Sequence, residues 1–234
     1  MILTYSGRSA PSALEIEWES DGEIRSRRGR GGDINWGRAD ANTVLNPDIT
    51  SSTNKRVMRE LFREHDVPMP RLYTQTEAAI KVAMGGRVVG RPDRHMKGRG
   101  FWLIDSPRRL RRALAGTSRK RAATHFMDYI EAPHEYRVHI FKGKSIRISE
   151  KLAGSHGETT HGDYTTIKPT GPTKHVRQAA KAAVEAVGLD FGAVDILADD
   201  EHCWVLEVNA SPGLGGTMPK LYADTFIKWY REER

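Results

Sequence analysis

The chain of 234 residues contains a single cysteine, Cys203, so it cannot form an internal disulfide. This favours a reducing compartment, and we expect the protein in the cytoplasm. No run of about 18 consecutive apolar residues occurs, so no membrane-spanning helix is expected. The N-terminus becomes polar at Ser6-Gly7-Arg8, too early for the apolar core of a signal peptide. Cys203 lies in a predicted strand, where a buried core thiol is a better interpretation than a nucleophile.

Motifs of several common enzyme classes are also missing. Ser211 is followed by Pro212-Gly213 and lacks the neighbours of a hydrolase nucleophile elbow. The glycine-containing segment 91–100 fits neither the Walker nor the Rossmann pattern. Six of the nine histidines could suggest a zinc site, but their spacing matches no common zinc-binding pattern; they are His95, His125, His134, His139, His156 and His161. We therefore expect no zinc site and no serine hydrolase activity.

Positive charge is what the chain has in excess, with a formal net charge of +7. One arginine-rich cluster runs from Arg25 to Arg30, and a second from Arg108 to Arg121. The second cluster lies on a predicted helix whose Leu110 faces the core. Such clusters are either solvated surface or a binding surface for an anionic partner, either nucleic acid or a charged substrate. No nucleic-acid-binding motif accompanies them.

A predicted hairpin near the C-terminus places three oxygen-bearing side chains together. Its two apolar strands are joined by the polar turn 199–202. Because strand side chains alternate, Glu207 and Asn209 share a face. A turn centred at residue 201 puts Asp195 directly opposite Glu207, with Cβ atoms about 4.5–5.5 Å apart, so the carboxylates repel unless a cation binds. Asp195, Glu207 and Asn209 thus predict a site for a hard cation such as Mg²⁺.

Elsewhere the apolar spacing predicts an α+β protein in which antiparallel strand pairs alternate with helices. One helix starts after residues 51–53, which offer capping hydroxyls, and ends before Val67-Pro68. Further helices are predicted at 173–187 and near the C-terminus. Residues 15–32 are charged and give no clear prediction, and 153–166 are predicted to be a loop.

Five ordered segments together resemble the ATP-grasp ligase family. They are Asn54-Lys55 with Val67-Pro68-Met69-Pro70, Val88-Val89-Gly90-Arg91 with the loop ending at Gly100, Phe126-Met127-Asp128-Tyr129-Ile130-Glu131, Glu135-Tyr136-Arg137-Val138, and Asp195 with Glu207-Val208-Asn209-Ala210-Ser211-Pro212-Gly213. The resemblance extends from about residue 46 to 230. The members that the chain resembles include compact, phage-encoded ligases and glutamate ligases that modify a ribosomal protein. It implies two α+β lobes with antiparallel sheets that grip ATP.

The same resemblance implies a domain division. Residues 1–45 look like an abbreviated N-terminal α/β segment, and 46–234 like the ATP-grasp domain. Within that domain, about 70–130 would be the lobe covering ATP and 131–234 the metal-binding lobe.

The resemblance also implies roles for individual residues. It assigns ATP binding to Lys55, Arg91, Lys97, Gly98, Arg99, Gly100, Asp128, Tyr129, Ile130 and Glu135. It assigns catalytic roles near the transferred phosphoryl group to Arg137 and Lys151, and Mg²⁺ ligation, with Mn²⁺ as a substitute, to Asp195, Glu207 and Asn209. Arg91 stands where the family carries a lysine, and the two side chains reach phosphates differently.

The activity implied is ATP- and Mg²⁺-dependent joining of a carboxylate to an amine, through an acyl phosphate and with release of ADP. Amino acids or peptides are the expected substrates, and a homodimer is expected because dimers are common among such ligases. The two arginine-rich clusters support an alternative. In that alternative the chain is a polyanion- or nucleic-acid-binding module on a degenerate ATP-grasp scaffold.

Overall fold

The computed structural model describes residues 1–7, 9–39, 41–92, 100–117, 121–153 and 164–233, and within these ranges the strands form three sheets. None of the helices in these ranges has both the length and the apolar character needed to cross a bilayer.

The N-terminal part forms a small parallel sheet. Its elements are β1 (Ile2–Tyr5), α1 (Ala10–Trp18), β2 (Arg25–Arg28), β3 (Gly32–Trp36) and β4 (Thr43–Leu45). The strand order is β2-β1-β3-β4, and each neighbouring pair is parallel. Residues 15–32, which gave no clear prediction, contain the end of α1 and all of β2. The sequence of β2, Arg-Ser-Arg-Arg, shows no hydrophobic pattern because β2 is an edge strand with mostly exposed side chains, paired through its backbone with β1.

The middle of the chain forms a second, antiparallel sheet. The elements here are α2 (Thr50–Thr53), α3 (Lys55–Glu64), β5 (Leu72–Tyr73), α4 (Gln75–Ala83), β6 (Val88–Arg91), β7 (Trp102–Ile104), α5 (Pro107–Ala115) and β8 (His125–Asp128). The strand order is β5-β8-β6-β7. Helices α4 and α5 bury Ala78, Val82, Leu110 and Ala113 in the core that this sheet shares with them. We call residues 70–130 the lid lobe.

The cap of α3 differs from the prediction. Residues 50–53 are themselves helical, and Asn54 is the extended residue that caps α3. Its side-chain oxygen accepts from the backbone N–H groups of Arg56 at 3.2 Å and Val57 at 3.4 Å. The cap places Lys55 at the first position of the helix.

The C-terminal part contains the largest sheet, which we call the central sheet. Its elements are β9 (His134–Phe141), β10 (Lys144–Ala153), β11 (Tyr164–Ile167), α6 (Lys174–Ala186), β12 (Phe191–Ala198), β13 (Cys203–Asn209) and α7 (Met218–Glu233). The strands are antiparallel in the order β11-β10-β9-β12-β13. The predicted loop 153–166 was therefore wrong at both ends, because strands reach 153 and resume at 164; residues 154–163 lie outside the described residues.

The two faces of the central sheet are covered differently. Helix α6 packs on one face, where Val138, Ile140 and Val194 are fully buried. On the other face, Phe191 forms an aromatic cluster with Trp36 of the N-terminal sheet and Tyr222 of α7. Farther along that second face lie polar and charged side chains, among them Arg137 and Asp195.

The hairpin of β12 and β13 contains the predicted residue pair, but the register changes next to it. Asp195 lies opposite Glu207, which confirms the prediction, but Ile196 lies opposite Val205. The turn is therefore centred half a residue earlier than assumed, and a β-bulge at Leu206 supplies the extra residue. In a regular strand, residues three positions apart point to opposite faces, but because of the bulge Val205 and Val208 are both buried.

Candidate functional site

A row of side chains crosses the second face of the central sheet. Arg137 on β9 lies opposite Asp195 on β12, and Asp195 lies opposite Glu207 on β13. On the other side of β9, Ser149 of β10 pairs with Arg137. The strand register alone thus brings an arginine and two carboxylates side by side.

Asp195 is the centre of this row and is held by two cations. Arg137 donates two hydrogen bonds to it, from Nε at 2.8 Å and from Nη2 at 2.9 Å. The Lys151 Nζ lies 3.0 Å from its Oδ2. Burial opposes the ionisation of Asp195, but these two positive charges outweigh burial and hold its pKa below the ordinary value. Asp195 is therefore a carboxylate at any physiological pH.

Lys151 joins Asp195 to a third carboxylate. Its Nζ donates to Glu135 Oε1 at 2.7 Å, and its side chain is only 3% exposed. Burial favours the neutral amine, yet Asp195 and Glu135 raise the pKa of Lys151 above its ordinary value. A lysine so deeply buried keeps its charge only because both carboxylates surround it.

Glu207 has its own cation from outside the sheet. Lys55, at the start of α3, donates to Glu207 Oε2 at 2.7 Å, and Asn209 Nδ2 donates to Glu207 Oε1 at 3.1 Å. Burial and the charge of Asp195 raise the pKa of Glu207, whereas Lys55 and Asn209 lower it, and the net pKa is below the ordinary value. The repulsion expected between Asp195 and Glu207 is present, but cations of the chain itself offset it.

The lid lobe contributes Arg91, at the end of β6. Its guanidinium lies 5.1 Å from the centre of the Phe101 ring. Burial lowers the pKa of Arg91, and the negative charges of Glu207 and Glu135 act against that lowering. Arg91 thus interacts electrostatically with carboxylates of the central sheet, and its phosphate-binding role stays a prediction.

The predicted metal ligands fit a hard cation by donor type. Asp195, Glu207 and Asn209 lie on two neighbouring strands and offer carboxylate and amide oxygen. Within the described ranges, no three histidine, cysteine or acidic side chains form a metal-binding group, so the third ligand depends on the amide of Asn209. Metal ligation by this trio remains a prediction. So small a set suits Mg²⁺ that also binds phosphate oxygens.

The predicted ATP-binding residues Asp128, Tyr129 and Ile130 lie at the end of β8 and directly after it. The Asp128 carboxylate accepts from the Tyr73 hydroxyl at 2.8 Å and forms an ion pair with Lys81. The Tyr129 N–H donates to the Arg87 carbonyl oxygen at 3.4 Å. These groups are thus engaged within the lid lobe, and contacts of Asp128, Tyr129 and Ile130 with a nucleotide stay a prediction.

The glycine loop is described only at its end. Lys97, Gly98 and Arg99 lie outside the described residues. Gly100 has φ +87°, and a Cβ there would lie 2.7 Å from Pro92 Cγ. The chain needs glycine at this position, because it must pass closely by the start of its own loop.

Two residues on the same face escaped the sequence analysis. His139 lies next to Arg137 along β9, is buried, and contacts the Tyr222 hydroxyl through Nδ1 at 2.9 Å. Burial lowers the pKa of His139 to about 3, so the ring is neutral. Arg147 lies opposite His139 on β10 and is exposed. Side chains alternate along β10, so counting back in steps of two from Lys151 would have indicated Arg147.

The N-terminal sheet supports the loop that follows Asn209. Gly37 has φ +87°, and a Cβ there would lie 2.4 Å from Ser211 Oγ and 2.8 Å from Ser9 Oγ. The Leu214 N–H donates to Ser12 Oγ at 3.2 Å. Three segments therefore meet beside the predicted metal ligand.

Comparisons with known proteins agree with this architecture. No family model matches the chain. A probable α-L-glutamate ligase of Parasynechococcus marenigrum (strain WH8102) is 26% identical over 190 residues, which cover 74% of this chain and 40% of that protein. The chain thus spans about two fifths of that relative.

Solved structures give the fold. The D-alanine–D-alanine ligase of Bacillus anthracis complexed with ATP has a TM-score of 0.67 at 15% identity, covering 100% of both chains. The ATP-grasp ligase PsnB complexed with a minimal precursor has a TM-score of 0.60 at 17% identity, covering 94% of this chain and 69% of that one. The predicted α+β architecture and the ATP-grasp fold are confirmed.

Proposed function

We propose that this chain, which has the ATP-grasp fold, joins a carboxylate to an amine with conversion of ATP to ADP and phosphate. The observation that supports this most is the buried charge cluster of Asp195, Arg137 and Lys151, adjacent to the Glu207–Lys55 pair. Buried ion pairs contribute little net stability, so a lysine at 3% exposure between two carboxylates supports a functional role for the cluster.

The proposed reaction has two steps. An oxygen of the substrate carboxylate attacks the γ-phosphorus of ATP, the bond to the β–γ bridging oxygen breaks, and an acyl phosphate and ADP form. The amine then attacks the acyl carbon, phosphate leaves with the C–O bond electrons, and the amine loses a proton. No covalent enzyme intermediate is required, so the chain contributes positioning and charge.

The cations of the cluster are suited to the first step. Lys55, Arg91 and Arg137 would stabilise the negative charge on the triphosphate and on the transferred group. Asp195, Glu207 and Asn209 would hold Mg²⁺, or Mn²⁺ in its place, and the metal would neutralise phosphate charge. Lys55 binds Glu207, and Arg137 binds Asp195. Because these two carboxylates are also the predicted metal ligands, metal binding would release Lys55 and Arg137 to face the phosphates. The ion pairs thus keep both cations close to where they would be needed.

Amino acids or peptides are the proposed substrates. Names of similar proteins support this choice, because they include an α-L-glutamate ligase and a ligase complexed with a precursor. The single thiol, Cys203, is buried, and burial raises its pKa, so it is poorly reactive. The reaction would take place in the cytoplasm.

The test measures ADP release with ATP, Mg²⁺ and pairs drawn from amino acids and short peptides, with mass spectrometry of the products. Hydroxylamine should trap an acyl hydroxamate. Glu207→Gln should reduce ADP release by about 100-fold or more, whereas Asp200→Asn, an exposed change on the same hairpin, should not alter it. Undiminished turnover by Glu207→Gln, or no ADP release with any substrate pair, would overturn the proposal.

A further inference from the structure

Positive charge is distributed very unevenly along this chain. The lid lobe contains 14 arginine and lysine residues but only four aspartate and glutamate residues. The rest of the chain contains 23 basic and 26 acidic residues. The lid lobe therefore carries a formal charge of +10 and the remainder −3, so the excess belongs to one lobe.

The described acids of the lid lobe cannot neutralise this charge, because each already has a cation. The pairs are Asp105 with Arg109 at 2.5 Å, Glu77 with Arg71 at 3.9 Å, and Asp128 with Lys81. The fourth acid, Asp93, lies outside the described residues. The lobe's surplus is thus a property of its surface.

Helix α5 gathers part of that surplus on one face. Leu110 and Ala113 point into the core of the lobe and are buried. Arg108, Arg111 and Arg112 are exposed. Arg108 lies three residues before Arg111 and four before Arg112, so its Cβ atom is about 5–6 Å from theirs. We call these three side chains the α5 arginine face. Among the described residues, no ion pair involves any of them.

This arrangement does not serve the stability of the helix. The first turn of α5 contains Arg108 and Arg109 and no acidic residue. A helix N-terminus favours negative charge, and like charges three or four residues apart repel each other. A bound anion would reverse both effects.

We propose that the α5 arginine face binds an acidic stretch of a polypeptide substrate, a proposal that rests on the function given above. Guanidinium groups bind carboxylates with paired hydrogen bonds, and three at this spacing match several neighbouring acidic side chains. The proposed reaction also uses a carboxylate. A polypeptide rich in glutamate or aspartate supplies both the docking charge and the reactive group.

The surface fits a polypeptide better than a single-stranded nucleic acid. Nucleic-acid grooves combine cations with exposed rings on which bases stack. The large apolar side chains exposed on the described part of the lid lobe are Leu72, Ile80 and Met84, none of which is aromatic. The described part of the lobe thus presents charge without a fully exposed aromatic ring on which a base could stack.

The other arginine-rich cluster does not make a comparable surface. Arg27 Nη2 donates to the carbonyl oxygens of Arg30 at 2.9 Å and Gly31 at 3.2 Å. Ser26, in the same strand, donates to the Glu17 carboxylate. This cluster organises its own turn, and its exposed members Arg25 and Arg28 provide control positions.

The test is a binding measurement by fluorescence anisotropy without ATP, using labelled poly-L-glutamate. The triple variant R108A/R111A/R112A should bind at least about tenfold more weakly than the wild type. Arg63, exposed in the last turn of α3, completes a control of equal charge. The control R25A/R28A/R63A removes the same charge elsewhere and should change binding less than about twofold. The variant R108K/R111K/R112K keeps the charge but not the paired hydrogen bonds, so it should recover only part of the loss.

The outcomes separate this proposal from the catalytic one. Equal weakening in both alanine triples would show a general charge effect and overturn the docking proposal, even if ADP release occurs. Tighter binding of single-stranded DNA than of poly-L-glutamate, lost in the α5 triple, would assign the surface to nucleic acid instead. Selective loss of poly-L-glutamate binding would support the proposal even in an assay where no ADP is released.

Discussion

The central sheet and helix α5 of the lid lobe differ in how far their charged side chains form ion pairs within the chain. On the central sheet, Asp195, Glu135 and Glu207 each contact a cation of the same chain, at 2.7–3.0 Å. On α5, three exposed arginines form no ion pair among the described residues. Charge that is matched internally fixes the geometry of a site, whereas charge left unmatched at a surface is available to a partner. The two regions should therefore respond differently when charge is removed.

The largest effect is expected where matched charge is most buried. Asp195→Asn leaves Arg137 and Lys151 with too little negative charge, and we expect the free energy of unfolding to fall by about 3 kcal/mol. Urea denaturation at pH 7 measures this, and a parallel assay should show loss of ADP release. Asp200→Asn should stay within about 0.5 kcal/mol of the wild type. A stable Asp195→Asn protein would contradict the view that the cluster depends on this carboxylate.

A second effect concerns His139, which is neutral and buried beside Arg137. Its folded pKa of about 3 lies below the unfolded value, so unfolding takes up a proton between those values. Stability is unaffected by this group above the unfolded pKa of about 6.5 and falls with acidification, by about 2 kcal/mol at pH 5. Denaturation of the wild type and His139→Asn at pH 7 and 5 measures the difference. The same pH slope in both proteins would show that His139 is not the cause.

An intermediate effect is expected for the Lys55–Glu207 pair, whose side chains are 14% and 31% exposed. Because water partly screens it, Lys55→Met should lower the free energy of unfolding by only about 1 kcal/mol. ADP release should fall far more, since the proposed phosphate contact is lost. Equal losses of stability in Lys55→Met and Asp195→Asn would remove the distinction between the buried and half-buried parts of the site.

The smallest effect is expected on α5, and with the opposite sign. Arg108→Glu places negative charge in the first turn and should raise the free energy of unfolding by about 0.5 kcal/mol. Thermal denaturation of this variant and of Arg108→Gln separates charge reversal from charge removal. Destabilisation by either change would show that the arginine has a structural partner, and would break the contrast between the two regions.

Sequence reasoning succeeded where chemistry is local. The pair Asp195 and Glu207 lies on one hairpin, so a short count of residues sufficed, even though the assumed turn centre was wrong. The charge of the lid lobe is likewise visible in composition. The cations that hold Asp195 were not predicted as its partners, because Arg137 is 58 residues away and the contact depends on which strands are neighbours.

Other failures have equally physical origins. Strand β2 contains three arginines and pairs with β1 through its backbone. Hydrophobic periodicity cannot detect such a strand. The cap at Asn54 was missed because the preceding hydroxyl residues are good caps in general but are helical here. The neutral state of His139 depends on burial under α7, far along the chain.

The bulge at Leu206 has a consequence for sequence comparison. Side chains of β13 alternate between the two faces of the central sheet, and the bulge shifts this alternation by one residue between Val205 and Val208. A relative with a regular strand here would therefore lack one residue while keeping both ends of the hairpin equivalent. The structurally correct alignment thus has a single-residue gap at Leu206. An alignment without the gap would pair core residues of one protein with site residues of the other on one side of Leu206.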